Sequence, residues 1–409
     1  MNTHRRKLVQ SLGLVGCWSA LVGLGLTGCK KKEEQPAAPA KAEVSAARNE
    51  PVVINVVDVG GGLQLLQAAI ESFQAKNPRS VEKFNFTKAP SPELPGKLKA
   101  MQSAGRMDLD LVLGGTDVLA AGVEQGLWTQ LFPDHEAKFP GVLDNYLPAA
   151  REMQKLAKDQ ALAVVFMPAG PLLEFNPDKV KTPPTSPAEL LAWAKAHPKR
   201  FIYPRPASSG PGRTFLMGLP YLLGDKDPKN PLTGWDNTWK YLKELAQYIE
   251  YYPASTGATM KELGEGSRDM TVTVTGWDLN PRALGIVPKQ FKVAAMKGMT
   301  WVNDTQYLMI PKGVAKEKLP IVLELVGYLL KPEQQALTYD KGYFYPGPAV
   351  KNVPLSMAPA ESQNVIKEFG RPEYDEWIAN FPHAQPLDAK MLVEAFKRWD
   401  EEIGVKTAK

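Results

Sequence analysis

The sequence predicts an α/β protein built as two lobes, each a sheet flanked by helices, and three observations carry that expectation. Short apolar strands alternate with amphipathic helices, and glycine-rich turns join strand ends to helix starts. The 409 residues also exceed the roughly 250–300 at which a single core stops growing and a chain divides. With 44% hydrophobic and 23% charged residues, the composition is that of a globular chain.

The first residues stand outside this pattern. Residues 4–29 read HRRKLVQSLGLVGCWSALVGLGLTGC, a positive cluster, an apolar stretch and a cysteine, which is the layout of an export signal. The run Leu26-Thr27-Gly28-Cys29 resembles a bacterial lipobox, and a charged tether starts directly after Cys29, whereas apolar sequence continues after Cys17. Cys29 is therefore the expected lipidation site. Arg5 and Arg6 resemble a twin-arginine export motif, with an ordinary secretory signal as the alternative. A retained membrane helix is disfavoured, because the apolar part is Gly-rich and at the short end of the roughly 20 residues needed to span. Residues 1–28 thus read as the signal, and 29–50, rich in Ala, Pro, Lys and Glu, as a flexible tether.

Charge and cysteine usage exclude several functions. Arg5, Arg6 and Lys7 supply much of the formal charge of +5 and leave the body near neutrality, so nucleic acid is not an expected partner. Cys17 and Cys29 both precede the body, which therefore holds no disulfide, thiolate nucleophile or cysteine metal site. His135, His197 and His383 are isolated, without HExxH spacing, so neither a zinc centre nor a cofactor is expected.

From Pro51 the elements follow in order. Val52–Val59 is a strand suited to burial on both faces, ended by Gly60–Gly62. Leu63, Leu66, Ile70 and Phe73 then mark one face of a helix. A strand over Val81–Thr87, a helix with Leu94, Leu98 and Met101 aligned, and a strand at Leu109–Gly115 continue the alternation, which implies a parallel sheet. Ligands collect beyond the carboxyl ends of such strands, so Val59–Gly62 and Gly114–Asp117 are candidate cleft loops. A dinucleotide fingerprint is not met, since Leu65 stands where a third glycine is required. Ala161–Gly170 and Pro171–Val180 read as extended. Ser186, Pro187 and Glu189 form a capping box that opens a helix. Phe201–Pro206 is a short strand, after which Ser208, Ser209, Gly210 and Gly212 precede an apolar helix, placing hydroxyls and free backbone N–H groups together as an anion or a polar ligand head requires. Arg268–Gly285 alternates into a strand expected to end at Gly276, Trp277 and Asp278, before a short helix started by Pro281. Trp235, Trp239 and Tyr241 read as helix packing.

Three stretches carry a family resemblance: LDLVLGGTDVLAAGVEQGLWTQL, LLEFNPDKVKTPPTSPAELLAWAK and YLMIPKGVAKEKLPIVLELVGYLLKPEQQALTYDKGYFYPGPAVKNV. In this order, behind a lipobox, they resemble the extracellular solute-binding proteins of ABC importers, which have the type II periplasmic binding protein fold. The resemblance implies two lobes joined by extended hinge crossings. It places lobe 1 at 51–160 with a return segment at 291–335, lobe 2 at 169–290, and C-terminal helices at 340–409 mainly on lobe 2. It also implies a lipid-anchored monomer in the periplasm, with a small-molecule solute and ABC permease transmembrane subunits as partners and no chemistry performed.

On this reading Trp277 is the first candidate for a stacking wall, with Asp278 beside it; burial of Trp277 for packing alone is the competing reading. Trp301 and Tyr345 are further aromatic candidates, and Gly115, Thr116 and Asp117 form a cleft loop. Two ligand classes compete. The aromatic rings with Asp117 or Asp278 suit an organic cation, such as a polyamine or a thiamine-like compound. Arg213 and Arg282 with Ser208 and Ser209 suit a carboxylate or phosphonate. The cation ranks first, the anion second, and ferric ion third, the last because Tyr251 and Tyr252 are adjacent but out of position. The rival functions are an anchored hydrolase, for which no GxSxG elbow is present, and a ligand-presenting sensor subunit.

Overall fold

The computed structural model describes residues 50–91 and 93–405; the expected signal, the expected lipidation site Cys29 and the expected tether up to residue 49 lie outside them. Eleven strands occur among the described residues: β1 (Val52–Asp58), β2 (Val81–Lys88), β3 (Leu111–Gly114), β4 (Ala161–Gly170), β5 (Leu172–Phe175), β6 (Phe201–Ile202), β7 (Met270–Thr273), β8 (Lys292–Ala294), β9 (Trp301–Met309), β10 (Gly347–Pro348) and β11 (His383–Ala384). They form two sheets. The larger has the order β10-β4-β9-β3-β1-β2, with β11 paired to β9, and the smaller has the order β6-β7-β5-β8.

The larger sheet is not wholly parallel, as the alternation of strands and helices implied. β1 runs parallel to β2 and β3, but β9 is antiparallel to both β3 and β4. The reason is the path of the chain. β4 leaves the larger sheet and continues as β5 of the smaller one, while β9 re-enters the larger sheet from the other side, in the opposite direction. The segment expected to return at 291 first pairs within the smaller sheet, as β8 against β5, and joins the larger sheet only at Trp301. Side by side, β4 and β9 pair from Ala161 with Met309 to Gly170 with Val302, a two-stranded spine that both lobes share.

Each sheet has its own core. Around the larger one, Ile54, Val56, Leu66, Phe73, Leu113, Val164 and Leu308 are buried together; around the smaller one, Phe201, Tyr203, Phe215, Trp235, Trp239 and Leu242 are. The C-terminal helix Ala389–Glu402 buries Leu392, Ala395 and Trp399 in the second of these. Local rules are met closely. The helix Pro187–Ala196 starts at Ser186, whose hydroxyl accepts from the Glu189 N–H, and the Glu189 carboxylate reaches back to the Thr185 N–H at 2.7 Å, one residue beyond the reciprocal bond of an ideal capping box. Among the described residues, no helix is long and apolar enough to cross a membrane.

Candidate functional site

β1 and β3 of the larger sheet end at one place, and each leads into a helix. Asp58 closes β1, and its carboxylate is turned to the backbone N–H groups of Gly60, Gly61, Gly62 and Leu63, the start of the helix Gly62–Lys76. Burial raises the Asp58 pKa, while those N–H groups hold it back. Gly61 has φ +80°, and a Cβ there would strike the Tyr343 hydroxyl, so this turn needs glycine on two counts. β3 ends at Gly114; Gly115 caps the helix Thr116–Glu124, with Asp117 in its first turn. A side chain on Gly115 would crowd the Asp117 carboxylate.

The smaller sheet contributes three helix starts. Ser209 caps Gly210–Leu222 by accepting from the Gly212 N–H, and Ser255 caps Thr256–Gly264 by accepting from the Ala258 N–H. The hydroxyls of Ser209 and Thr256 lie 2.7 Å apart. The third helix, Thr275–Ala283, already begins at Thr275, so Trp277 and Asp278 sit in its first turn rather than ahead of it, and Pro281 lies inside it. Thr275 ties this start to the spine and to the aromatic loop by donating to the carbonyls of Pro168 and Tyr345. Trp277 meets Tyr343 edge-to-face, with centroids 5.4 Å apart.

Between these ends lies a cavity of about 340 Å³, at the small end of the roughly 300–1,000 Å³ of small-molecule sites. A larger groove of about 830 Å³ at Lys76, Tyr328 and Lys331 sits at the far end of the helix Gly62–Lys76, about 20 Å from its start. The cavity at the strand ends is the one at which helix N-termini and charged groups from both sheets converge.

Its central feature is an ion pair between the two sheets. Arg213, on Gly210–Leu222, donates from Nη2 to Asp304 Oδ2 of β9 at 2.6 Å, and its Nη1 lies 3.4 Å from Asp117 Oδ1. The other Asp304 oxygen accepts from the Thr116 hydroxyl and the Thr305 N–H. Burial alone would lower the Arg213 pKa, but the two carboxylates raise it above its ordinary value. Two polar atoms of buried cavity residues have no hydrogen-bond partner, Arg213 Nε and Gln306 Oε1.

Of the residues picked from the sequence, Trp277, Ser208, Ser209, Arg213, Gly115 and Asp117 line this cavity. Thr116 is buried behind it and holds Asp304. The other picks are displaced. Asp278 is wholly buried and accepts from Arg282, Arg371 and the Tyr374 hydroxyl, which also removes Arg282 as an anion holder. Trp301 has no exposed surface and donates from Nε1 to the Trp377 carbonyl; its size and apolarity serve packing with Leu172, Met299 and Tyr374. Tyr345 lies against Tyr374, and its loop neighbours Tyr343 and Phe344 reach the cavity instead. Tyr251 and Tyr252 line no part of it: Tyr251 bonds to Glu262, and Tyr252 packs on Tyr203 and Trp399. Among the described residues no group of His, Cys, Asp and Glu could hold a metal ion.

Asp304 and Gln306 were missed, although a signal was present. Asn303, Asp304, Thr305 and Gln306 form a run of four polar residues inside β9, all nine residues of which are buried. Buried polar side chains demand partners, and a polar run in the middle of an otherwise apolar strand marks a site.

The paired lobes, shared spine and interlobe cavity define a bilobal solute-binding protein of the type II periplasmic kind. Residues 68–367 match the bacterial extracellular solute-binding protein family, and the chain belongs to it. No curated protein matches the chain in sequence. Solved structures share the fold. A putative spermidine/putrescine ABC transporter protein from Listeria monocytogenes is 14% identical over 86% of this chain and 98% of its own, with TM-score 0.60. The Atu4243-GABA receptor is 18% identical over 87% and 97%, with TM-score 0.61. AfuA from Actinobacillus pleuropneumoniae, solved with fructose-6-phosphate bound, is 17% identical over 86% and 98%, with TM-score 0.61.

Proposed function

We propose that this protein is the lipid-anchored periplasmic component of an ABC importer, capturing a small solute that carries a cationic nitrogen and passing it unchanged to the permease. The neighbours named above differ in ligand, from polyamine to GABA to a sugar phosphate, at nearly equal likeness, so the choice of solute rests on the cavity itself. The carrying observation is the charge of its lining: Asp117 and Asp304 against the single guanidinium of Arg213, in one cavity with Trp277, Tyr343 and Phe344. Such a lining leaves one negative charge for a cation, and the rings supply faces that attract it. None of His135, His197 and His383 lines the cavity, so the serines there lack the base that a hydrolase of the Ser–His type requires.

Capture follows from the architecture. Each lobe presents helix starts to the same space, and β4 and β9 connect the lobes, so hinge closure about the spine brings both walls onto the solute. A shift from 1:99 open to 99:1 closed requires about 5.5 kcal/mol of contacts made only when both lobes touch the solute. The permease then distinguishes loaded from empty protein by the orientation of the lobes.

Native mass spectrometry of protein purified from its own periplasm tests this reading: a co-purified amine of low mass supports it. A co-purified acid without a nitrogen cation, or a ligand released in altered form, would overturn it.

A further inference from the structure

The reading above assigns the cavity a cationic nitrogen but leaves one of its walls without a task. The two walls are of opposite character. On the side of the larger sheet stand Asp117, Asp304 and Gln306. Asp304 is already taken up by Thr116, Thr305 and Arg213. Asp117 has only the 3.4 Å approach of Arg213, so its carboxylate retains acceptor capacity. The helix starts on this side already carry negative charge, Asp58 at one and Asp117 at the other.

On the side of the smaller sheet the lining includes no carboxylate. It presents Arg213 together with the N-termini of Gly210–Leu222 and Thr256–Gly264, helices of 13 and 9 residues with no acidic residue in the first turn of either. Pro211 has no N–H, and the N–H groups of Gly212 and Ala258 go to Ser209 and Ser255; the N–H groups of Gly210, Thr256 and Gly257 remain, and with the helix dipole they favour an anion there. Ser208, Ser209, Ser255 and Thr256 surround these ends. Arg213 Nε, in a residue only 4% exposed, has no partner, an independent sign that this wall has a donor to spare. A solute with cationic charge alone would lie against a guanidinium and two positive helix ends.

Resting on the solute-binding reading, we infer that the solute is a short zwitterion, with its cationic nitrogen at Asp117 beside Trp277 and Tyr343, and its oxyanion at Arg213 and the two serine-capped helix starts. This arrangement explains closure as well as affinity. Each charge taken alone finds its ion partner on one side only, Asp117 on that of the larger sheet or Arg213 on that of the smaller, and so gains less from closure. A molecule that carries both charges joins the walls only when the lobes have closed, which is the differential contact that a population shift requires.

The experiment is calorimetric titration of the purified protein, at low salt, with three linear compounds of matched length: cadaverine, δ-aminovalerate and glutarate. Shorter and longer homologues are run in parallel, and an aminophosphonate separates a carboxylate head from a phosphonate head. The expected result is that an amino acid of the series binds about ten-fold or more tightly than its matched diamine and diacid. Arg213→Gln then loses affinity for the amino acid and gains affinity for the diamine; should that variant fail to fold, the wild-type series decides alone. A diamine that binds more tightly than the matched amino acid overturns this inference while the cationic reading stands. Tightest binding of the diacid, or no binding across the whole set, overturns both.

Discussion

Two clusters of arginine and carboxylate, built from the same side chains, do opposite things in this protein. In the cleft, one guanidinium, Arg213, serves two carboxylates contributed by the other side, and polar atoms remain unpaired. Behind the wall residue Trp277, two guanidinia converge on one carboxylate. Asp278 accepts Nε and Nη2 from Arg282, Nε and Nη2 from Arg371, and the Tyr374 hydroxyl. Glu174 of β5, fully buried, adjoins that cluster and feels its charges. Trp277 and Asp278 are adjacent in sequence, yet on successive positions of one helix they belong to different regimes. Charges shared between the two sides of the cleft remain open to a ligand, whereas charges sealed away from it fix the shape of the wall. What separates the two clusters is which elements meet at each.

The comparison breaks most decisively at Asp278. Asp278→Ala leaves two arginines buried without their counter-ion, and the expected loss is about 3–5 kcal/mol of unfolding free energy, read from the midpoint of a urea transition. A loss below about 1 kcal/mol would mean that the sealed cluster is no more than a surface network. Next in size is Trp277→Ala. Because this ring is only partly buried, the variant should fold and lose about ten-fold or more in solute affinity, on the order of 1–2 kcal/mol; unfolding of the variant would place Trp277 with the core instead.

Glu174 sharpens the contrast through pH. Burial first, and the Asp278 carboxylate second, raise its pKa well above the ordinary value of about 4.5. The folded state therefore holds a proton that the unfolded chain releases, so this stability is complete below about pH 4.5 and fades as pH climbs toward the raised value. Urea transitions across that range should decline for the wild type and flatten for Glu174→Gln, and equal slopes would remove Glu174 from the account. The smallest stability effect is expected at Asp117→Asn. Asp304 still pairs with Arg213, so unfolding free energy should change by no more than about 1 kcal/mol while solute affinity falls. Large destabilisation with unchanged affinity would assign Asp117 to the scaffold.

The cleft loops at Gly60–Gly62 and Gly114–Asp117 were legible because a strand end, a glycine turn and a helix start follow one another in the chain. Ser209 and Ser186 were legible as caps for the same reason. Trp301 and Tyr345 were misplaced because an aromatic ring reads alike in a wall and in a core, and only its neighbours decide. Asp278 was misplaced because its partners Arg371 and Tyr374 lie about 95 residues away. Asp304 and Gln306 went unnoticed because the stretch that carries the family resemblance starts only at Tyr307, past the polar middle of their strand.

By itself, the sequence determined what depends on neighbouring residues: strands and helices from periodicity, and caps from hydroxyl and carboxyl spacing. These are local physical effects, and a few consecutive residues contain their causes. The tertiary structure alone decided which carboxylates face the cleft and which are sealed, and which guanidinium serves each. An ion pair is a relation between positions distant along the chain, and the energy of burying a charge is set by the neighbours that the fold brings to it.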